Sequence, residues 1–244
     1  MSALAGTTGR RRVYLMRHGF VDYTSRICRV SADPSLAELT DEGREEARVA
    51  GVALADVSFD LALCSGLTRT RQTAEIVLDA HPETLQLEAD PRFGELRSGQ
   101  YINFQSAEQL AATMTFQFEQ AGEPGATFLE GGEAFADAMV RIEQGFRSLL
   151  TRPDWSPALL VAHEGVNRLA LAWVLGAPLG ACAGFEQDTG CINIIDFDLV
   201  PDETGERTRI ERAVIKAVNL TPANYLKNGM NLRSLEAIFT RAAP

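Results

Sequence analysis

The chain is poor in the residues that build metal centres and disulfide frameworks. Its 244 residues include three histidines, His18, His81 and His163, too few for a site assembled from several imidazoles. The four cysteines, Cys28, Cys64, Cys182 and Cys191, contain no Cys-x-x-Cys pair, so neither zinc coordination nor a disulfide scaffold is indicated and ordinary thiols remain. No metal and no other cofactor is expected. Cationic patches are scarce as well: the formal net charge is −10 and the longest basic run is Arg10-Arg11-Arg12, most simply a solvated strand entry. Neither a nucleic acid nor an anionic membrane is therefore an expected partner, and an anionic substrate has to be held by locally placed cations. No apolar run approaches the ~20 residues of a membrane span, and residues 1–8 are too short and too weakly apolar for a signal peptide, so a cytoplasmic location is expected. There is no internal repeat and no low-complexity segment, and nothing decides for or against a homo-oligomer.

What is present describes a globular chain: 45% hydrophobic and 23% charged residues, with glycine and proline spread throughout. The stretch Val13-Tyr14-Leu15-Met16 reads as a short buried strand that runs into Arg17-His18-Gly19. After an irregular segment at 20–39, Thr40 is placed to cap a helix that opens with Asp41 and Glu42 and has Ala47, Ala50, Val52, Ala53 and Leu54 as its apolar side. Residues 59–64 form a second apolar run, followed by Ser65-Gly66 and a helix over 67–80. A third strand is expected at 85–89, ending in the turn Pro91-Arg92-Phe93-Gly94-Glu95. A strongly amphipathic helix opens at Gly131-Gly132-Glu133, residues 158–162 make the clearest strand, and His163-Glu164-Gly165 leads into an apolar helix over 166–175.

Strands alternating with helices predict an α/β fold, a three-layer α/β/α sandwich around a mostly parallel sheet. Residues 191–200 and 209–218 are expected as two further strands in an edge hairpin, and 225–243 as a surface helix. Residues 98–132 leave the alternation. They are expected to form an inserted helical cap on a single domain spanning 1–244, with a helix over 106–120. Tyr101, Phe104, Phe116 and Phe118 are available there to pack the insertion or to line a pocket, packing being the commoner use of such residues.

In a parallel sheet, Arg17, His18, the turn from Ser65 to Arg69, Glu95 and His163 all emerge at the carboxyl edge, where open α/β folds place their ligands. Each has an ordinary structural explanation when taken alone, but together they suit one task. Two arginines on an acidic chain call for an anion between them, and a phosphoryl group matches their planar donors. One imidazole can attack phosphorus and carry it, while a carboxyl group protonates the leaving oxygen and later activates water.

In order and spacing, Arg17-His18-Gly19, Ser65-Gly66-Leu67-Thr68-Arg69 with Gln72-Thr73-Ala74, Gly94-Glu95 with Gly99, Gly132-Glu133, and Val161-Ala162-His163-Glu164-Gly165 resemble the histidine phosphatase superfamily, also called phosphoglycerate mutase-like. The resemblance implies that His18 is the nucleophile, that Arg17, Arg69 and His163 form the phosphate pocket, and that Glu95 is the proton donor. It also implies a metal-independent phosphomonoesterase for a small phosphorylated metabolite, working through a phosphohistidine. A phosphoglycerate mutase, a phosphatase acting on protein side chains and a non-catalytic phospho-ligand binder are the alternatives. The sequence departs from the family pattern at Glu164, where many members have glycine, and at Asn103, where a glycine often closes the motif after the acid. A carboxylate at 164 would oppose a bound phosphate unless it points away. Tyr23 and Arg97 are candidate substrate contacts, and His81 is expected at the surface.

Overall fold

The computed structural model describes residues 9–22, 36–99, 112–113, 116–204 and 208–228. All six expected strands are present in the expected places, and they form one mixed sheet. The strands are β1 (Gly9–Arg17), β2 (Leu61–Cys64), β3 (Leu87–Ala89), β4 (Ala158–Ala162), β5 (Ile192–Pro201) and β6 (Thr208–Leu220), in the order β3-β2-β4-β1-β5-β6. The pairs β3–β2, β2–β4 and β4–β1 are parallel, whereas β5 runs antiparallel to β1 and returns through β6 as the expected edge hairpin. Among the described residues four α-helices cover the sheet: α1 (Asp41–Leu54), α2 (Thr68–Leu78), α3 (Phe135–Leu150) and α4 (Glu164–Val174).

Strand periodicity sorts the core into two layers, because successive side chains point to opposite faces. Val13 and Leu15 of β1, Leu63 of β2 and Leu160 of β4 join the cluster that holds Ile142 and Phe146 of α3 and Leu169 of α4. Tyr14, Met16, Cys64, Leu159 and Val161 face the other way, against Ala50 and Leu54 of α1 and Ala74 and Val77 of α2. Helices on both faces bury β4 completely, which is why its sequence is a continuous apolar run without alternation. Thr40 caps α1 as expected, its hydroxyl accepting from the Gly43 N–H at 3.1 Å.

Boundaries differ from the sequence reading where tertiary pairing decides them. β1 begins at Gly9, four residues before the apolar run, because its basic entry pairs with β5. Arg10 forks onto Asp198 (2.8 and 3.1 Å) and Arg12 onto Asp196 (2.6 and 2.8 Å), so the run is a strand held by two bidentate ion pairs rather than a solvated lead-in. Helix α4 starts at Glu164, directly after the strand-end histidine, and α3 starts at Phe135, two residues past Gly132-Glu133. His81 is only partly exposed, its ring packed edge-on against Phe59 with centroids 5.1 Å apart.

Most of the helix expected at 106–120 lies outside the described residues, as do Tyr101, Asn103, Phe104, Tyr23, Cys28 and nearly all of 225–243. The end of the 106–120 segment is a 3₁₀ turn, Gln117–Gln120, in which Phe118 is buried against Phe128 and Phe135 while Phe116 stays exposed. Cys64, Cys182 and Cys191 are buried free thiols. Among the described residues no helix is long and apolar enough to cross a membrane.

The 3₁₀ turn Pro91–Phe93 links β3 to Glu95, and its anchor is Phe93. That ring is fully buried, edge-on to Phe146 at 5.3 Å, and close enough to Gly145 that a side-chain carbon there would lie 2.8 Å from it. Phe93→Ala is expected to destabilise the protein by about 3–5 kcal/mol, measured as a lower denaturant midpoint at unchanged m-value.

Candidate active site

The three parallel pairings bring every polar residue singled out at the strand ends to one edge of the sheet. β1 and β4 are paired Arg17 to Ala162, so the residues that follow, His18 and His163, emerge side by side with ring centroids 5.2 Å apart. The His18 N–H continues the ladder onto the Ala162 carbonyl at 3.1 Å. β2 ends at Cys64 and passes through Ser65 into α2, whose second residue is Arg69, and β3 leads through the Phe93 turn to Glu95. Arg17, His18, Arg69 and His163 are all buried.

Two close backbone approaches make room for this. A side-chain carbon at Gly19 would lie 2.3 Å from the Gly43 carbonyl oxygen, and one at Gly43 would lie 2.2 Å from that of Phe20, so β1 turns away beneath α1 only through this glycine pair. The turn is held by Glu46, which accepts from the Phe20 N–H (2.8 Å) and the Thr189 hydroxyl (2.7 Å). At Gly165 a side-chain carbon would meet Glu95 Oε1 at 2.8 Å, which places the Glu95 carboxyl against the first turn of α4.

Hydrogen-bond partners assign the protons on both imidazoles. His18 Nδ1 lies 2.7 Å from the Gly19 carbonyl, which can only accept, so the proton sits on Nδ1. The lone pair is then on Nε2, where Arg69 Nε donates to it at 3.2 Å. The Thr70 hydroxyl donates to the Leu67 carbonyl (2.8 Å), so Ser65 donates to Thr70 (2.9 Å) and accepts from His163 Nε2–H at 2.8 Å. His163 Nδ1 is left buried without a hydrogen-bond partner among the described residues. Burial, reinforced by the Arg69 and Arg17 cations, holds both histidines well below the ordinary imidazole range, so both are neutral. Glu95 moves the other way: burial pushes its carboxyl above the ordinary range, Glu164 adds to this, and the Leu96 N–H and the two arginines oppose it. The site thus holds a neutral imidazole whose Nε2 lone pair accepts from Arg69, together with a carboxyl group biased towards its protonated form.

Glu164, the departure from the family pattern, is buried and held between two arginines. Its Oε1 accepts from Arg168 Nε (3.0 Å) and Nη2 (2.8 Å), and its Oε2 pairs with Arg17 Nη1 at 3.0 Å. Arg168 is fully buried, stacked over Phe118 at 4.9 Å, and also pairs with Glu186 at 3.3 Å. Sequence reasoning gave Arg168 no role, although Glu164 and Arg168 stand at the i, i+4 spacing of a helical ion pair.

Arg141 was missed too. It forks onto Glu133 (2.9 and 3.0 Å) and its Nη1 donates to the carbonyls of Arg92 (2.6 Å) and Gly94 (3.0 Å). Glu133 in turn accepts from the Arg97 N–H at 3.0 Å, so the pair grips the Glu95 turn on both sides. Burial raises the Glu133 carboxyl, but the bonds from Arg141 and Arg97 outweigh it and hold the group below its ordinary value. Arg97 itself is exposed, with its side chain reaching Glu133 at 3.6 Å.

The family model for the histidine phosphatase superfamily (branch 1) matches residues 13–201. The adenosylcobalamin/alpha-ribazole phosphatase of Escherichia coli K12 is 30% identical over 192 residues, 77% of this chain and 90% of that protein. A protein of Erwinia tasmaniensis named "probable phosphoglycerate mutase" is 29% identical over 173 residues, 70% of this chain and 77% of that protein. The crystal structure of the alpha-ribazole phosphatase from Shigella flexneri matches with a TM-score of 0.63 at 26% identity, over 85% of this chain and 96% of that one.

Arg141→Met leaves Glu133 with its principal partner removed and frees two carbonyls beside Glu95. The expected cost is about 3–5 kcal/mol in denaturant unfolding. With it goes a fall in kcat of roughly tenfold or more as the turn loses its placement, read from steady-state kinetics on the folded fraction.

Proposed function

Since the chain belongs to the histidine phosphatase superfamily and is a phosphatase enzyme, we propose that it hydrolyses the monoester of a small phosphorylated metabolite through a phosphohistidine on His18, without a metal ion. The observation that carries this reading is the His18 tautomer: with Nδ1–H bonded to the Gly19 carbonyl, Nε2 presents its lone pair beside Arg69 and His163. In this reading Arg17, Arg69 and His163 bind the non-bridging oxygens, helped by the N-termini of α2 and α4, neither of which is capped by a side chain. The unpartnered His163 Nδ1 becomes a donor when the approaching anion raises its proton affinity.

His18 Nε2 attacks phosphorus as the ester P–O bond breaks, and Glu95 gives its proton to the departing oxygen. The carboxylate so formed takes a proton from water, whose oxygen attacks the phosphohistidine, releasing inorganic phosphate and restoring both groups. The cations and N–H donors stabilise the charge on the transferring phosphoryl group throughout. The 98–132 segment serves in this reading as a cap over the leaving group of a single domain. That the first-named relative acts on adenosylcobalamin and alpha-ribazole phosphates favours a small molecule over a phosphoprotein. A second reading, phosphoryl transfer to another hydroxyl, is favoured by the Erwinia relative, and product analysis separates it from hydrolysis.

The test is hydrolysis of an aryl phosphate in the presence of chelator, followed by a panel of metabolite phosphates that includes phosphoglycerates. Release of inorganic phosphate is expected from the parent and not from His18→Ala, and acid-labile labelled protein phosphate is expected only in the parent. Glu95→Gln is expected to lower kcat by about 10²–10⁴ on a poorly activated leaving group. Attack needs neutral His18 and protonated Glu95. Activity is therefore expected to fall as pH rises through the elevated Glu95 pKa, and to fall again when pH drops far enough to protonate His18, below the ordinary imidazole range. Loss of the alkaline limb in Glu95→Gln supports the acid assignment, and an unchanged profile overturns it.

A further inference from the structure

Glu164 has a relation to Arg17 that a purely structural carboxylate would not need. Its Oε1 already receives two bonds from Arg168, which is enough to pair the two charges along α4. Oε2 is nevertheless set 3.0 Å from Arg17 Nη1, and both groups are almost fully buried. The other acceptor of Nη1 is the Gln187 carbonyl at 2.5 Å, so both hydrogens of that nitrogen are directed at protein oxygens. Glu186, which is half-buried, also meets Arg168 Nη2 at 3.3 Å, giving a row of alternating charge, Arg17, Glu164, Arg168, Glu186, in which every cation meets a carboxylate.

Resting on the assignment of Arg17 to the phosphate pocket, we propose that Glu164 is a built-in competitor for Arg17 that keeps the pocket's affinity for phosphate low and so favours release of the product. A phosphate drawn to Arg17 has to share that guanidinium with a carboxylate that Arg168 prevents from moving aside. The repulsion between the two anions acts in a poorly screened interior, where a unit charge a few ångströms away changes binding by an order of magnitude or more. It acts equally on the bound product, which is why a carboxylate is tolerable where the family pattern has glycine. Binding that is uniformly tight for substrate and product does not raise kcat, so a weakened ground state is compatible with fast turnover.

The test is the dissociation constant of inorganic phosphate, by calorimetry and by product inhibition of aryl phosphate hydrolysis. It compares the parent with Glu164→Gln and with the double variant Glu164→Gln/Arg168→Met, which removes the row's central charges together and so leaves no unmatched cation at position 168 if the single variant folds poorly. Both are expected to bind phosphate about tenfold more tightly than the parent. A carboxylate that merely held the fold would give the opposite sign, since loosening Arg17 weakens binding. Unchanged or weaker phosphate binding in folded variants, judged by circular dichroism and thermal midpoint, overturns the proposal while leaving the phosphatase reading standing. Absence of phosphate binding in the parent as well overturns both.

Discussion

The parallel pairing of β1 with β4 is the constraint on which the site depends. Five residue pairs, from Val13 with Ala158 to Arg17 with Ala162, hold the two strands in register, and the next residue of each is a histidine. A slip of one residue would turn alternate side chains to the opposite face and separate the rings. Register is held from both sides of the sheet. Val13 and Leu15 sit in one buried layer and Tyr14 and Met16 in the other, so a shifted strand would clash with α3 and α4 as well as with α1 and α2. The ion pairs of Arg10 and Arg12 with Asp198 and Asp196 hold the far end of β1 against β5 in the same way.

Charge balance is the second organising fact. Arg17 and Arg69 are buried together, and the protein meets that cost with neutral imidazoles, a compensating carboxylate at Glu164 and a carboxyl group at Glu95 biased towards its neutral form. Each shift has burial as its first cause, so the same exclusion of water that makes the cations effective also sets the protonation states of the groups beside them.

Strand identity, the edge at which the polar residues collect and the mostly parallel character of the sheet were legible in the sequence, because buried strands announce themselves as short apolar runs and polar residues at their ends stand out. The β5–β6 hairpin was legible for the same reason. What was not legible came from contacts between distant parts of the chain. Nothing local to Arg10 or Arg12 reveals Asp198 and Asp196 across the sheet, and the entry of β1 therefore read as solvated. Arg141 reaches the carbonyls of Arg92 and Gly94 from a helix nearly fifty residues away, and a side chain bonded to backbone leaves no sequence signature at the other end. Glu164 lies between the two cases: its departure from the pattern was visible, and its helical partner Arg168 could have been found from spacing, but the simultaneous contact with Arg17 depends on where β1 ends.

The sheet order also governs how the protein is made. β1, first in the chain, is an interior strand whose two neighbours, β4 and β5, begin at Ala158 and Ile192. During synthesis it emerges with neither partner available, and its apolar segment must wait, shielded or chaperoned, until most of the remaining chain has left the ribosome. Folding of this topology is thereby tied to long-range closure and is expected to be slow. It also means that a truncated translation product ending before β4 carries His18 and Arg69 but lacks His163 and the strand that joins β1 to β2. Such a fragment has no assembled pocket, so catalytic competence waits until β4 and His163 have been made.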